Sequence, residues 1–165
     1  MQETALTIRP ARNEDREALA SILVPVVRAG ETYALDRDLS EDAILAYWLG
    51  EDRATFVAEE GGLILGTYYL RKNQAGGGSH VANCGYVTAP AASGRGIARL
   101  MAEHSFQAAR ERGFAAMQFN FVVSTNERAV RLWLSLGFAE VGRLPRAFRH
   151  PTAGDVDALV MFRTL

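Results

Sequence analysis

The sequence has a single cysteine, Cys84, and little that would mark a secreted or membrane-bound protein. One cysteine excludes an intrachain disulfide, which fits a reducing compartment. No apolar run approaches the roughly 20 residues of a membrane-spanning helix. The N-terminal stretch carries charges in place of the apolar segment of a signal peptide. No His, Cys and carboxylate side chains cluster at metal-ligand spacing, so we expect no metal. These absences predict a cytoplasmic protein without a membrane partner.

An excess of charge of one sign is also lacking. Lys and Arg number 18 against 19 Asp and Glu, which gives a net charge of −1 and a pI of about 6.3. No bulk attraction to nucleic acid or to an anionic membrane is therefore expected. At 165 residues the chain is predicted to form one domain spanning residues 1–165.

Hydrophobic periodicity and turn residues predict alternating groups of strands and helices. Strands are expected at residues 4–9, 54–59, 63–70, 80–88, 115–123, 139–144 and 156–163, and helices beginning at Asn13, Ser40, Gly96 and Ser124. Pro25 predicts a kink or break in the first helix, Gly61-Gly62 a two-residue hairpin turn, and Ser124-x-x-Glu127 a capping box. This order predicts a mixed sheet of about seven strands with helices on both faces, an α+β fold, or α/β by looser usage.

The most informative stretch is the glycine-rich loop Ser93-Gly94-Arg95-Gly96-Ile97-Ala98, between a predicted strand and a predicted helix. Such a turn leaves backbone N–H groups unpaired at the positive end of the helix dipole, which favours a pyrophosphate. A Rossmann fingerprint would need a third glycine where Arg99 stands, and a Walker loop would need Gly-Lys-Ser/Thr. Taken alone, the loop is compatible with NAD, ATP, coenzyme A or a purely structural turn.

A second motif, Asn126-x-x-Ala129-x-x-x-Trp133-x-x-x-Gly137-Phe138, lies downstream of the loop. Together the two stretches resemble the Gcn5-related N-acetyltransferase (GNAT) superfamily. Its loop reads Gln/Arg-x-x-Gly-x-Gly/Ala after Val-x-x-Pro, and here Val87-Thr88-Ala89-Pro90 precedes the glycines. The resemblance is strong from His80 to Val141 and implies the GNAT fold.

The resemblance implies an N-acetyltransferase that uses acetyl-CoA as cosubstrate and no metal. Backbone amides of the loop would bind the pyrophosphate, the preceding strand would pair with the pantetheine arm, and the Asn126 side chain would contact the cofactor. A simple helix-start role for Asn126 is the alternative. The implied cofactor-binding residues are Tyr86, Val87, Thr88, Ser93, Gly94, Arg95, Gly96, Ile97, Ala98, Asn126 and Trp133.

Two departures from the family pattern bear on mechanism. Ser93 replaces the usual Gln or Arg of the loop, and Trp133 replaces a Tyr that protonates the leaving thiolate in many relatives. An indole N–H is no practical proton donor, so Tyr68, Tyr69, Tyr86 or water would have to serve. The strand before the loop also lacks the Glu that many relatives use as general base.

Three asparagines, Asn83, Asn120 and Asn126, resemble a narrower branch, the yeast-type enzymes that acetylate azetidine-2-carboxylate and other proline analogues. That resemblance implies catalytic or substrate-handling roles for Asn83 and Asn120 and a cofactor role for Asn126. Asn120 is expected on a buried strand, where an unpaired amide would cost about 1–3 kcal/mol. A purely structural buried amide is the alternative at this position.

The resemblance also places substrate contacts in the loop Glu31-Thr32-Tyr33 and at His150. His104, near the apolar face of its helix, is expected to be packed or hydrogen-bonded. The predicted reaction is direct attack by a small amine, such as an amino acid or proline analogue, on the thioester in a ternary complex. The alternatives are a non-catalytic acyl-CoA-binding module and a protein N-terminal acetyltransferase, and a homodimer is compatible with either.

Overall fold

The computed structural model describes residues 4–165, within which seven strands form one sheet and four α-helices cover it. The strands are β1 Thr7–Pro10, β2 Arg53–Glu60, β3 Leu63–Lys72, β4 Val81–Thr88, β5 Ala116–Val123, β6 Ala139–His150 and β7 Gly154–Thr164. The helices are α1 Arg16–Ala29, α2 Glu41–Trp48, α3 Ile97–Glu111 and α4 Glu127–Ser135. The strand order is β1-β2-β3-β4-β5-β7-β6, and only the β4–β5 pair is parallel. The α+β expectation is confirmed.

Two hydrophobic clusters cover the two faces of the sheet. Helices α1 and α2 pack against one face, and α3 and α4 pack against the other. The alternation of β3 divides two adjacent tyrosines between these clusters, since Tyr68 belongs to the α3 side and Tyr69 to the α1–α2 side. On the α1–α2 side the buried Trp48 donates its indole N–H to Thr67 Oγ1 at 2.9 Å. This division decides which side chains can reach the site described below.

The predicted break at Pro25 is wrong, because α1 continues through it to Ala29. Pro25 lies on the exposed side of the helix, so the carbonyl that loses its N–H partner can be hydrated. Buried Leu23 and Val27 hold the helix on both sides of the proline. The helix ends at Gly30, whose φ of 65° is a typical glycine stop.

Two predicted helix starts also differ from the structure. Asn13 opens a short 3₁₀ turn that precedes α1, and Asp15 occupies the cap position of the helix itself. The capping box at Ser124 does not form, because Ser124 still bonds to Asp157 on β7 and Asn126 becomes the cap residue. The hairpin at Gly61-Gly62 is confirmed, with φ of 58° and 82°. Among residues 4–165, no helix combines the length and apolarity needed to span a membrane.

Candidate functional site

The sheet opens between its two parallel strands. β4 and β5 pair only at Val81–Ala116 and Ala82–Met117, and beyond this point their backbones part. A register shift in β5 between Phe119 and Val122 marks an irregularity that accompanies the divergence. The gap opens into a cleft of about 370 Å³.

The cleft is walled by the α1–α2 loop, by β3 and β4, and by β5 with the start of α4. Its lining residues are Val26, Thr32, Tyr33, Ala34, Leu35, Tyr47, Tyr69, Arg71, Asn83, Cys84, Gly85, Tyr86, Val87, Thr88, Phe119, Asn120, Phe121, Val122, Val123, Asn126, Ala129 and Trp133. This set holds no Asp, Glu or His, so no side chain of the wall is an ordinary general base. Among residues 4–165, no group of three or more metal-type ligands occurs.

The edge of β4 that faces the cleft presents unpaired backbone groups. Ala89 N donates to Leu65 O of β3 at 2.8 Å. Because backbone groups of an antiparallel pair alternate in direction, Val87 also faces β3, whereas Tyr86 and Thr88 face the gap. The hydroxyl of Tyr33 confirms this direction, since it donates to the Tyr86 carbonyl at 2.9 Å. The edge can therefore offer the N–H groups of Tyr86 and Thr88 to an extended ligand.

The glycine loop leads from β4 into α3 and presents a row of free amides. Among the described residues, the backbone N–H groups of residues 94–99 have no acceptor, and the first bonded amide is Leu100 N, 3.1 Å from Gly96 O. Gly94 and Gly96 have φ of 79° and 76°, which favours glycine at both positions. A Cβ added at either glycine would meet no atom within 4 Å, so the space outside the loop is open. The loop has the geometry of an anion site.

Two arginines lie beside this loop, one in an ion pair and the other bonded to a serine hydroxyl. Arg95 is bound to Glu60 of β2, with Nη2 at 2.9 Å from both carboxylate oxygens, so its side chain is already neutralised. Arg128, in the first turn of α4, donates Nη1 to Ser93 Oγ at 3.2 Å. Sequence reasoning missed Arg128, because no local pattern signals a contact between residues 35 apart. Its guanidinium brings a positively charged side chain to the loop at the position where Ser93 replaces the usual Gln or Arg.

Asn83 lies at the point where β4 and β5 separate. The residue is 6% exposed, its Nδ2 donates to Gln118 O at 3.0 Å, and its Oδ1 accepts from Arg71 Nε at 3.2 Å. The side chain therefore bridges the two strands immediately after their last backbone pair. Asn83 also lines the cleft.

Asn120 lines the cleft too, but the expectation that it is buried is wrong. The register shift in β5 leaves Asn120 exposed. Its Nδ2 donates to Asn73 Oδ1 at 2.6 Å, and its Oδ1 accepts from Gln118 Nε2 at 2.9 Å. Two partly buried side-chain amides, of Asn73 and Gln118, thus hydrogen-bond Asn120 at the surface.

Asn126 and Trp133 form the α4 side of the cleft. Asn126 occupies the N-cap of α4, yet its side chain makes no cap hydrogen bond and contributes to the cleft wall. Asn126 therefore starts the helix without the side-chain bond that usually favours asparagine at a cap. Trp133 packs its ring 5.0 Å from Tyr86 and 4.7 Å from Phe119, between centroids.

The tyrosines considered as proton donors divide by sheet face. The hydroxyl of Tyr68 is 2.6 Å from Nδ1 of His104 on α3, outside the cleft, so His104 is hydrogen-bonded, as one of its two expectations had it. Tyr86 places its hydroxyl 2.6 Å from Ser105 Oγ, and Ser105 donates onward to the carbonyl of Ala102. The Tyr86 proton is thus committed to Ser105.

Of Tyr68, Tyr69 and Tyr86, only Tyr69 turns its hydroxyl toward the cleft. This hydroxyl lies 3.3 Å from the Tyr47 hydroxyl. Desolvation in this wall raises the pKa of Tyr69 and that of Tyr33 above the usual value, so both phenols are neutral at physiological pH. Burial raises the pKa of the Cys84 thiol to about 12. No thiolate is available there at neutral pH.

Glu31 and His150 are not among the cleft residues, unlike Thr32 and Tyr33. Glu31 is exposed on the α1–α2 loop. His150 ends β6, and its Nδ1 accepts the backbone N–H groups of Thr152 and Ala153, each at 3.1 Å. That arrangement stabilises the β6–β7 turn.

Known proteins share both the sequence and this architecture. The sequence model of the Acetyltransferase (GNAT) family matches residues 19–138. The N-acetyltransferase aca1 of Schizosaccharomyces pombe is 29% identical over 151 residues, which cover 81% of this chain and 72% of aca1.

Two solved structures superpose closely on the chain. A GCN5-related N-acetyltransferase from Kribbella flavida is 41% identical, with a TM-score of 0.93 and 98% of each chain covered. The putative acetyltransferase yncA from Salmonella typhimurium, solved with its cofactor acetyl-CoA, is 24% identical, with a TM-score of 0.86 over 98% of this chain and 95% of its own. Sequence motifs, fold and relatives agree, and the chain is an N-acetyltransferase that belongs to the GNAT family.

Proposed function

We propose that this chain transfers the acetyl group of acetyl-CoA to the amine of a small molecule, an amino acid or proline analogue. The observation that carries the proposal is the continuity of two features. The row of free amides at residues 94–99 follows β4 closely in the chain, and Thr88 at the end of β4 lines the cleft between β4 and β5. A pyrophosphate on the loop would send an extended chain along the free edge of β4, toward the point where the strands part.

The cofactor would be held by residues of three elements. The loop amides and the charge of Arg128 suit the pyrophosphate, and the N–H groups of Tyr86 and Thr88 suit the amides of the pantetheine arm. The Asn126 side chain, free of any cap bond, can bond the cofactor from α4. One of the β4 N–H groups would then face the thioester carbonyl and stabilise the oxyanion that forms during attack.

The amine would attack the thioester carbon directly, forming the amide bond while the C–S bond breaks. Because the cleft wall holds no carboxylate and no histidine, the amine would lose its proton to water, ordered by Asn83 or Asn120. Orientation of the two substrates would supply most of the acceleration. A cleft of about 370 Å³ lies in the size range of small-molecule sites, which favours a small amine over a protein N-terminus.

The test is a steady-state assay of thiol release from acetyl-CoA with a panel of amines. The panel contains azetidine-2-carboxylate, proline analogues, primary amino acids and short peptides with free N-termini. We expect turnover with a small amine and little with the peptides. Binding of CoA without acceleration by any amine would favour a non-catalytic acyl-CoA-binding module, and preference for peptides would favour a protein N-terminal acetyltransferase.

A further inference from the structure

Arg71, the penultimate residue of β3, is a cation in the cleft wall that lacks a carboxylate partner. Its Nε donates to Asn83 Oδ1 at 3.2 Å, and its guanidinium carbon lies 5.6 Å from the Tyr69 ring centroid. Within residues 4–165, neither of its terminal nitrogens has a hydrogen-bond acceptor, and it forms no ion pair. Arg71 is half-buried in the cleft wall that Asn83 and Asn120 also line, and its guanidinium has open donors and no carboxylate in contact with it among the described residues.

The neighbouring strand adds to the positive charge. Arg53 of β2 is the register partner of Arg71, and it pairs with Asp52 at 2.8 Å. Asp52 is 63% exposed, whereas the Arg53 side chain is 7% exposed and its Nη1 is buried without a partner in the described chain. Two guanidinium groups therefore share one solvated carboxylate at this end of the cleft.

We propose that Arg71 binds the carboxylate of the substrate, so that the acceptor is an amino carboxylate and not a simple amine. This proposal rests on the proposed acetylation of a small-molecule amine. A guanidinium fork matches a carboxylate with two parallel hydrogen bonds. The bond from Nε to Asn83 fixes the plane of the fork and leaves the terminal nitrogens for the ligand. Arg71 would thus select the substrate class and position the amine, without taking part in proton transfer.

The experiment compares azetidine-2-carboxylate with azetidine-2-carboxamide, which has similar shape and no charge. The wild type is compared with Arg71→Met, with Arg71→Lys, and with Lys72→Met as a matched control. Lys72 is the next residue of β3, is exposed and carries the same charge. Turnover is measured by thiol release, and binding by calorimetry in the presence of CoA, so that binding is tested independently of catalysis.

The wild type should favour the acid over the amide by about 10- to 100-fold in kcat/KM, the range expected for charged hydrogen bonds. Arg71→Met should remove this preference, mainly through KM, and change the amide little. Arg71→Lys should restore part of it, and Lys72→Met should keep it. Thermal unfolding and CoA affinity of each variant would show that the fold and the cofactor site are intact.

Equal use of acid and amide by the wild type would overturn the role of Arg71 while leaving the N-acetyltransferase function standing. Equal loss for both ligands in Arg71→Met, in turnover and in binding, would overturn it as well. Selective binding of the acid that depends on Arg71, without turnover, would support the anion site and contradict the proposed reaction. Binding of neither ligand, with no turnover, would overturn both.

Discussion

Asn83 holds β4 and β5 together at the point where their backbones part, so its loss should weaken the fold as well as the reaction. The last backbone pair is Ala82–Met117, and the Asn83 side chain makes the next link, to Gln118 O. Replacing Asn83 by Ala removes this bond and the bond from Arg71 Nε. It also leaves the Gln118 carbonyl and the Arg71 Nε without these partners.

The size of the effect follows from the two bonds. A neutral hydrogen bond contributes about 1 kcal/mol net, and a bond to a charged group about 1.5–3 kcal/mol. Arg71 is only half-buried, so water can replace part of its lost bond. We therefore expect Asn83→Ala to lower the free energy of unfolding by about 2–3 kcal/mol. For a chain of this size that corresponds to about 4–12 °C in Tm.

Asn120→Ala provides the matched comparison, because Asn120 lines the same cleft but is exposed and bonded only to other side-chain amides. Its loss should change the free energy of unfolding by less than about 0.5 kcal/mol while lowering kcat/KM. Urea unfolding and scanning calorimetry measure the first quantity, and thiol release the second. Equal stability of Asn83→Ala and the wild type, or equal destabilisation by both substitutions, would refute the structural role of Asn83.

Three further predictions concern the cofactor loop, the proton balance and the packing of the cleft. Arg128→Gln should raise the Kd of acetyl-CoA by about 3- to 10-fold, measured by calorimetry, and an unchanged Kd would remove Arg128 from the pyrophosphate site. Burial raises the pKa of Tyr69, and that of Cys84 to about 12, so both groups stay neutral between pH 6 and 9. We therefore expect kcat/KM to rise with pH and to level off above the ammonium pKa of each substrate. If amines of different pKa gave the same midpoint in the pH profile, the titrating group would belong to the enzyme instead. Gly85→Ala would bring a Cβ to 2.7 Å from the Tyr69 ring and should lower stability by about 1–3 kcal/mol in urea unfolding, unless that ring can shift.

The sheet and its two helical layers were predictable because periodicity and turn residues act locally. The Gly61-Gly62 hairpin is an example, since positive φ at both positions is the signature of its turn. The prediction of a break at Pro25 failed because it depends on non-local packing. Whether a proline ends a helix depends on burial on both sides of it, which only the packed structure of α1 shows.

The glycine loop and the choice of Asn83 as a site residue could also be predicted from the sequence. The side chain that contacts the loop and the exposure of Asn120 on β5 could not. The contact between Arg128 and Ser93 depends on how α4 lies against the loop, which no local spacing encodes. Asn120 is expected on a buried strand from the sequence, whereas the structure leaves it exposed. The register shift between Phe119 and Val122 occurs at this residue, and no local pattern in the sequence indicates it.

The division of the tyrosines between the two faces also narrows the source of the proton for the leaving thiolate. Tyr33 donates to the Tyr86 carbonyl and Tyr86 donates to Ser105, so neither hydroxyl has a proton free. In the Tyr47–Tyr69 pair, one hydroxyl donates to the other and the remaining hydrogen is uncommitted among the described residues. That pair is thus the one phenolic donor among the described residues of the cleft wall, and the raised pKa of Tyr69 makes its hydroxyl a weak acid toward a thiolate. Since CoA thiolate is itself a good leaving group, protonation by water after C–S cleavage fits a wall in which Trp133 replaces the usual acid.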